Sequence, residues 1–262
     1  MEYKTILFDV RDGVAYITLN RPEVANSINL DMARDLMQAI LYCDENPGVR
    51  AVMISGAGDI FCAGGDLKSF ASHEEQLPLY LKEATIYFHS AVSHLTRMAS
   101  PVVAAVQGAA AGAGMSLVCA CDLVVAAESA RFTMAYTQVG LTPDGSSTYF
   151  LPRIVGLKRA LELTLTNRVL SAKEALDWGI VTKVVPDAEL LTQAEALASQ
   201  LASGATKALC TSKRLLHSGW VETLETQMEN ESRAIADMAR TADAKEGITA
   251  FIAKRSPEFK GL

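Results

Sequence analysis

The sequence predicts an α/β protein with a parallel core and a helical C-terminal part. Strand-like and helix-like stretches alternate first, which is the order expected when helices connect parallel strands. Apolar runs at 52–55 and 102–106 are too short for helices, so they indicate buried strands. Beyond Pro186 only helical patterns follow. We therefore expect a core over residues 1–195 and a helical region over 196–262.

The first elements are a hairpin and two helices. Mainly apolar runs at 5–10 and 14–19 flank the Asp12–Gly13 step, which favours a tight β-hairpin turn. Apolar residues then recur at helical spacing from about Leu30. The same spacing over 74–98 predicts a long amphipathic helix.

The second half of the chain carries several helix signals. Ser171 and Glu174 have the spacing of a capping box, in which each side chain satisfies a backbone N–H group at the helix start. A short strand is predicted at 182–185, ended by Pro186. Four further helices are predicted at 188–202, 205–217, 221–240 and 243–254. The third of these helices carries an apolar stripe made of Val221, Leu224, Met228, Ile235 and Met238.

Composition and charge exclude several functions. The chain has 30 acidic and 24 basic residues, and this net charge of −6 argues against binding to nucleic acid or an anionic membrane. Five scattered cysteines have no metal-ligating spacing, which indicates reduced thiols and no metal site. No signal peptide and no apolar run of membrane-spanning length is visible. We therefore expect a cytoplasmic protein.

A glycine-rich stretch follows the predicted strand at 102–106. Gly108, Gly112 and Gly114 lead into an apolar helix, whose first N–H groups have no partner and attract negative charge. The occupant could be a dinucleotide phosphate, a thioester oxygen that becomes negative, or nothing. The third glycine of a dinucleotide fingerprint is missing, and so is its acidic residue. This stretch alone does not separate the other two alternatives.

A second glycine turn gives the chain a family resemblance. FCAGGDL at 61–67 follows a strand, as GAAAGAG does at 108–114. Together with NRP at 20–22 and ALDWGIV at 175–181, these motifs resemble the crotonase superfamily, the enoyl-CoA hydratase/isomerase family. The resemblance covers nearly the whole chain. Within the family, it is strongest to the PaaG-like enoyl-CoA isomerases and to 4-chlorobenzoyl-CoA dehalogenase.

The resemblance implies a fold, an assembly and a substrate. The fold is a spiral of ββα units with a C-terminal helical trimerisation region, in trimers or dimers of trimers. The substrate is an acyl-CoA thioester, so coenzyme A is part of the substrate and no separate cofactor is expected. An oxyanion hole would be formed by the N–H groups of Gly65 and Ala113. The residues expected to bind CoA are Val24, Ala25, Ala63, Asp66, Leu67 and Lys254.

The resemblance also identifies a catalytic acid. The family's hydratases carry two glutamates where this chain has Ser116 and Tyr136, and addition of water needs such groups to move protons. Ordinary enoyl-CoA hydration should therefore be very slow. An acid is present instead at Asp144, where the resemblance implies the carboxylate of the isomerases and the dehalogenase. We expect Asp144 to shift a double bond, with His89 or Tyr136 assisting.

Three alternatives to the isomerase remain open from the sequence. In a dehalogenase-like enzyme, Asp144 would attack the ring and His89 would activate water. Gly65 and Tyr136, which replace an aryl-pocket phenylalanine and tryptophan of that enzyme, argue against this. Asp144 could instead only cap the next helix, beside Gly145. Finally, the chain could bind CoA without catalysis.

Overall fold

The computed structural model describes residues 2–262 and contains two sheets with helices around them. Across the larger sheet, the strands follow in the order β1 (Ile6–Arg11), β2 (Val14–Leu19), β3 (Ala51–Gly56), β4 (Val102–Val106), β6 (Leu123–Ala127) and β9 (Lys183–Val185). The smaller sheet has the order β5 (Ala109–Ala111), β7 (Arg131–Thr133) and β8 (Leu170–Ser171). Neighbouring strands are parallel except in the β1–β2 and β7–β8 pairs.

Helices surround the sheets and make up most of the end of the chain. Those of the first half are α1 (Leu30–Glu45), α2 (Leu67–Ala71), α3 (Leu77–Arg97) and α4 (Ala113–Ala120). They are followed by α5 (Ser147–Val155), α6 (Leu157–Thr166), α7 (Ala172–Asp177) and α8 (Leu190–Ala202), and then by α9 (Thr206–Ser218), α10 (Leu224–Met238) and α11 (Ala242–Ile252). The predicted parallel core and helical C-terminal part are confirmed. The predicted division after residue 195 falls within α8 and stays a prediction.

Local signals in the sequence account for two of these elements. The β1–β2 hairpin has the predicted turn: Asp12 and Gly13 have φ angles of 51° and 77°, the positive values that a two-residue type I′ turn requires. The predicted capping box is also confirmed, because Ser171 and Glu174 each accept a backbone N–H group of the other at the start of α7.

The hydrophobic core lies between the larger sheet and its helices. All five residues of β4 are fully buried, as the apolar run predicts. Helix α8 packs on β3, β4 and β6 through Ala194, Ala198 and Ala202, which are buried one turn apart. Their small side chains let the helix approach the sheet closely. On another side of the core, α1 packs along α3.

Other elements differ from the prediction. Strands β5, β7 and β8 are two or three residues long and have no apolar alternation of their own, so the sequence does not predict them. Long-range pairing forms them, with Ala109 opposite Arg131 and Phe132 opposite Leu170. The helix predicted from residue 74 begins at Leu77, because Glu74–Gln76 form a 3-10 turn.

A buried ion pair ties the C-terminal helices to the core. The Lys213 Nζ atom of α9 lies 2.7 Å from Asp122 Oδ2 and donates to the carbonyl oxygen of Leu95 at 2.7 Å. The same carboxylate oxygen accepts the N–H group of Val102 at 2.8 Å, at the start of β4. The Lys213 side chain is 7% exposed, so these partners replace the water contacts that its ammonium group loses on burial.

Loss of this cation should destabilise the fold. We expect Lys213→Met to lower the free energy of unfolding by about 3 kcal/mol, because Asp122 then loses its charge partner. Urea unfolding at matched protein concentration measures the change. Lys207→Met is the control, since Lys207 is exposed on the same helix. An equal midpoint for both variants would show that the ion pair contributes nothing.

The apolar stripe predicted near α10 is exposed on the single chain. Leu224, Met228 and Ile235 are 69%, 58% and 73% exposed. Such a face fits a helix that another chain covers, and the trimer stays a prediction. Among residues 2–262, no helix combines the length and the apolar character needed to cross a membrane.

Candidate active site

The two glycine turns lie against each other at one edge of the larger sheet. They follow β3 and β4, which are parallel neighbours, so both leave the sheet at the carboxyl ends of its strands. Backbone hydrogen bonds join them. The Cys62 N–H group donates to Ala109 at 3.0 Å, and the Ala111 N–H group donates to Cys62 at 2.9 Å.

Glycines make this close approach possible. Gly64 has a φ of 105°, and a Cβ atom on it would lie 3.0 Å from the carbonyl oxygen of Ala111. A Cβ atom on Gly114 would lie only 2.7 Å from the Cβ atom of Cys62. Larger residues at either position would push the two turns apart.

Two backbone amides at this junction have no partner. The bonds around Gly65 run from Ile28 N–H to Gly64 and from Asp66 N–H to Ile28, so they bypass the N–H group of Gly65. Ala113 is the first residue of α4, where an N–H group has no intrahelical acceptor. Within the part of the chain that the structure describes, neither amide donates a hydrogen bond.

Both amides belong to residues that line a cavity of about 530 Å³. One face of α3 forms a wall through Leu81, Ala84, Thr85 and Phe88. Asp144 is the only carboxylic acid among the described residues that line this space. Gly65, Ala113, Tyr136 and Asp144, predicted from the sequence, are thus brought together here.

The Asp144 carboxylate lies beside two side chains, Tyr136 and His89. Its Oδ1 atom accepts a hydrogen bond from the Tyr136 hydroxyl at 2.6 Å, and its Oδ2 atom lies 3.4 Å from His89 Nε2. The helix cap that the sequence left open as an alternative role for Asp144 is not formed. The cap position of α5 is Ser146, and no side chain caps that helix.

The hydroxyl group of Tyr136 remains protonated and acts as a hydrogen-bond donor. Burial, followed by the negative charge of Asp144, raises the pKa of the Tyr136 phenol, so the proton stays on its hydroxyl. This hydroxyl also lies 2.9 Å from Ser116 Oγ. Ser116 is fully buried and donates toward the main-chain oxygen of Asp144 at 2.9 Å.

His89 lies beside the acid rather than in the cavity wall. Its ring is half exposed, and its Nε2 atom accepts the N–H group of Gly145 at 3.2 Å. Ser147 donates its hydroxyl to the main-chain oxygen of Asp144 at 2.9 Å. The sequence analysis did not single out Ser147, because a serine after a turn has no distinctive pattern.

Phe70 is a cavity-wall residue that no sequence pattern indicated. A Cβ atom on Gly65 would lie 2.6 Å from Phe70 Cζ, so this ring fills the space that a side chain at position 65 would need. The ring packs edge-on against Tyr80 with centroids 6.0 Å apart. Only the packing of α2 against α3 brings Phe70 to the cavity.

The residues predicted to bind CoA are only partly brought together. Ala63 and Leu67 line the cavity, and the Ala63 N–H group donates to the carbonyl of Ala25, next to Val24. Lys254 is exposed at the end of α11, makes no ion pair within residues 2–262 and is not part of the cavity wall.

The side chain of Asp66, another predicted CoA contact, is used by the fold. Its carboxylate accepts the N–H group of Ser69 at 3.0 Å and pairs with Arg21 at 2.8 Å. Burial opposes the charge of Asp66, but these two contacts outweigh it and lower the pKa of the carboxyl. Asp66 is not among the described residues that line the cavity.

The chain is similar in sequence and in structure to proteins of one enzyme family. Residues 9–262 match the sequence profile described as enoyl-CoA hydratase/isomerase. The 1,2-epoxyphenylacetyl-CoA isomerase of Escherichia coli (strain K12) is 39% identical over 98% of both chains. The 4-chlorobenzoyl coenzyme A dehalogenase-2 of Arthrobacter sp. is 34% identical over 84% of this chain and 80% of its own. The crystal structure of an enoyl-CoA hydratase from Polaromonas sp. JS666 has a TM-score of 0.93 at 34% identity, covering 97% of this chain and 99% of that one.

Proposed function

The chain belongs to the enoyl-CoA hydratase/isomerase family of acyl-CoA enzymes, and on that premise we propose that it moves a double bond within an enoyl-CoA. The family resemblance and the crotonase-like fold predicted from the sequence are confirmed. One observation carries the proposal. Within residues 2–262, a single carboxylic acid, Asp144, faces a cavity that also presents the unpartnered amides of Gly65 and Ala113. A double-bond shift needs one group that moves a proton and donors for the oxygen that becomes negative.

The reaction has two proton transfers. Asp144 takes a proton from the α- or γ-carbon, and the C–H electron pair moves into the conjugated system and onto the thioester oxygen. The amides of Gly65 and Ala113 stabilise this dienolate, each by about 3 kcal/mol. Asp144 then returns the proton to the other carbon, so no atom is gained or lost.

The hydrogen bond from Tyr136 determines which oxygen of Asp144 transfers the proton. The Tyr136 hydroxyl occupies Oδ1 of Asp144, which leaves Oδ2 to carry the proton between the two carbons. Because burial and the charge of Asp144 raise the pKa of Tyr136, its hydroxyl keeps its proton through the cycle. It therefore orients the acid and does not compete for the substrate proton.

The same contacts argue against hydration. Ser116 and Tyr136 stand where the hydratases of the family carry glutamates. Neither has a carboxylate that could deprotonate water, and the Ser116 hydroxyl points to main-chain oxygens. Asp144 alone cannot activate water and protonate carbon at the same time.

A second candidate function is supported by the contact between His89 and Asp144. In that reaction, the Asp144 carboxylate attacks a ring carbon of a halobenzoyl-CoA and displaces halide. Water, activated by His89, then cleaves the resulting ester. Nε2 of His89 lies 3.4 Å from Asp144 Oδ2, close enough to act on such an ester.

A panel of thioesters separates these functions. Linear and cyclic 3-enoyl-CoA, crotonyl-CoA and 4-halobenzoyl-CoA are each incubated with the enzyme and followed by absorbance and mass spectrometry. We expect a 3-enoyl-CoA to change absorbance at constant mass, with crotonyl-CoA hydrated at less than about 1% of that rate, because the acid and base for water addition are missing. Comparable hydration, or loss of halide, would contradict the isomerase.

Further proposals concern binding and assembly. We propose that coenzyme A enters only as part of the substrate and that no separate cofactor takes part. Lys254 would meet its phosphate groups, since it is an exposed cation without an internal partner in the described chain. We also propose that the chain assembles into trimers, in which a neighbouring subunit covers the exposed apolar face of α10 formed by Leu224, Met228 and Ile235.

A further inference from the structure

The peptide group between Asp144 and Gly145 is held at both ends by helices. Its carbonyl oxygen accepts the hydroxyls of Ser116 on α4 and Ser147 on α5, both at 2.9 Å. Its N–H group donates to His89 Nε2 on α3 at 3.2 Å. Because a peptide group is planar and includes the Asp144 Cα atom, these contacts hold the point from which the Asp144 side chain leaves the backbone.

The Nε2 atom of His89 lies near the Gly145 N–H group and Asp144 Oδ2. The first contact needs an unprotonated Nε2, and the second needs a protonated one. Without a proton it can accept the N–H group of Gly145, and with a proton it could only donate to Asp144 Oδ2, 3.4 Å away. The peptide N–H group is always a donor and has no other acceptor among the described residues. The state that satisfies this N–H group is the one with an unprotonated Nε2 and the ring proton on Nδ1.

The backbone conformation next to Asp144 also needs support from surrounding elements. Gly140, Gly145 and Ser146 have φ angles of 74°, 58° and 68°, so three residues near Asp144 have left-handed backbone conformations. Glycine adopts such angles without strain, but Ser146 carries a Cβ atom, so its conformation needs support from contacts outside the turn. A Cβ atom on Gly145 would also collide with the Phe88 ring, which shows how closely the turn packs against α3.

Resting on the proposed isomerase function, we propose that His89 is a positioning residue, a neutral hydrogen-bond acceptor that together with Ser116 clamps the Asp144–Gly145 peptide and aims the carboxylate at the substrate. The imidazole takes no proton from water or substrate. This differs from the part that His89 would have in a hydrolytic reaction, where it must act as a base.

Two substitutions at position 89 separate an acceptor from a base. The amide oxygen of glutamine can replace Nε2 as acceptor but cannot serve as a base. We expect His89→Ala to lower kcat for a 3-enoyl-CoA about 10- to 100-fold, since a displaced reacting group loses its alignment, with KM changed less than about threefold. His89→Gln should restore kcat to within about fivefold of the unsubstituted enzyme. Equal losses in both variants would overturn the proposal.

His94→Gln is the matched control. His94 lies on the same helix and pairs with Asp44 at 2.8 Å, away from the cavity wall. Its substitution should leave kcat and KM unchanged. A loss equal to that of His89→Ala would overturn the proposal, because the loss would then not depend on contact with the Asp144–Gly145 peptide.

The tautomer of His89 can be measured without substrate. The chain has four histidines, so the ¹⁵N imidazole signals that disappear in His89→Gln are those of His89. We expect a protonated Nδ1 and an unprotonated Nε2; a protonated Nε2 would overturn the proposal. If Nδ1 is protonated but no thioester is isomerised, the proposed function is refuted and the role of His89 as a hydrogen-bond acceptor stands. If a thioester is isomerised but Nε2 is protonated, only that role of His89 is refuted.

Discussion

Asp144→Asn is expected to abolish isomerisation of a 3-enoyl-CoA, lowering kcat at least about 10³-fold. Asp144 is the one acid among the described residues that line the cavity, and asparagine cannot carry its proton. Asparagine has the shape of aspartate, and its amide oxygen can still accept the Tyr136 hydroxyl. The site therefore keeps its form. Binding of an acyl-CoA, measured by calorimetry, should stay within about threefold of the original affinity.

Asp12→Asn is the control for this variant. Asp12 lies in the β1–β2 turn with a φ of 51°, a conformation that asparagine adopts readily, so turnover should not change. If Asp144→Asn kept more than about a tenth of the original kcat, another group would have to move the proton, because loss of a general acid/base costs more than that.

The second large effect is expected from Ala113→Pro, which removes one donor of the oxyanion hole. Proline has no N–H group, and Ala113 is the first residue of α4, the helix position that tolerates proline best. Gly112 precedes it and has no Cβ atom to clash with the ring. We expect kcat to fall about 10²- to 10³-fold, as for loss of other oxyanion donors. Steady-state kinetics measure this loss.

Ala242→Pro tests whether proline alone has this effect. Ala242 is the exposed first residue of α11, and Thr241 before it has an extended backbone that accepts a following proline. This variant should keep its activity, and urea unfolding of both variants should show intact folds. Full activity in folded Ala113→Pro would mean that the Ala113 amide does not contact the reacting oxygen.

Sequence patterns predicted the elements whose causes are local. The Asp12–Gly13 step predicts the hairpin, and the run Val102–Val106 predicts the central strand, because turn type and burial follow from adjacent residues. Strands β5, β7 and β8 could not be predicted. Each is too short to carry a period, and pairing with a distant segment is what makes it a strand.

The candidate site shows the same division. The glycine turns and Asp144 could be recognised as motifs, so the sequence led to the acid and to both amides. It could not show that the Asp144 carboxylate binds Tyr136 and leaves α5 uncapped. Nor could it show Phe70 beside Gly65, because that contact depends on how α2 packs against α3.

By itself, the sequence determined the class of the fold, the family and the set of groups available for chemistry, since these depend on residue types and their spacing along the chain. Only the tertiary structure decided how these groups face one another. Ser116 meets the Asp144 peptide from 28 residues away and His89 from 56. Hydrogen bonds need partners within about 3 Å, and only the packed chain brings residues so far apart to that distance.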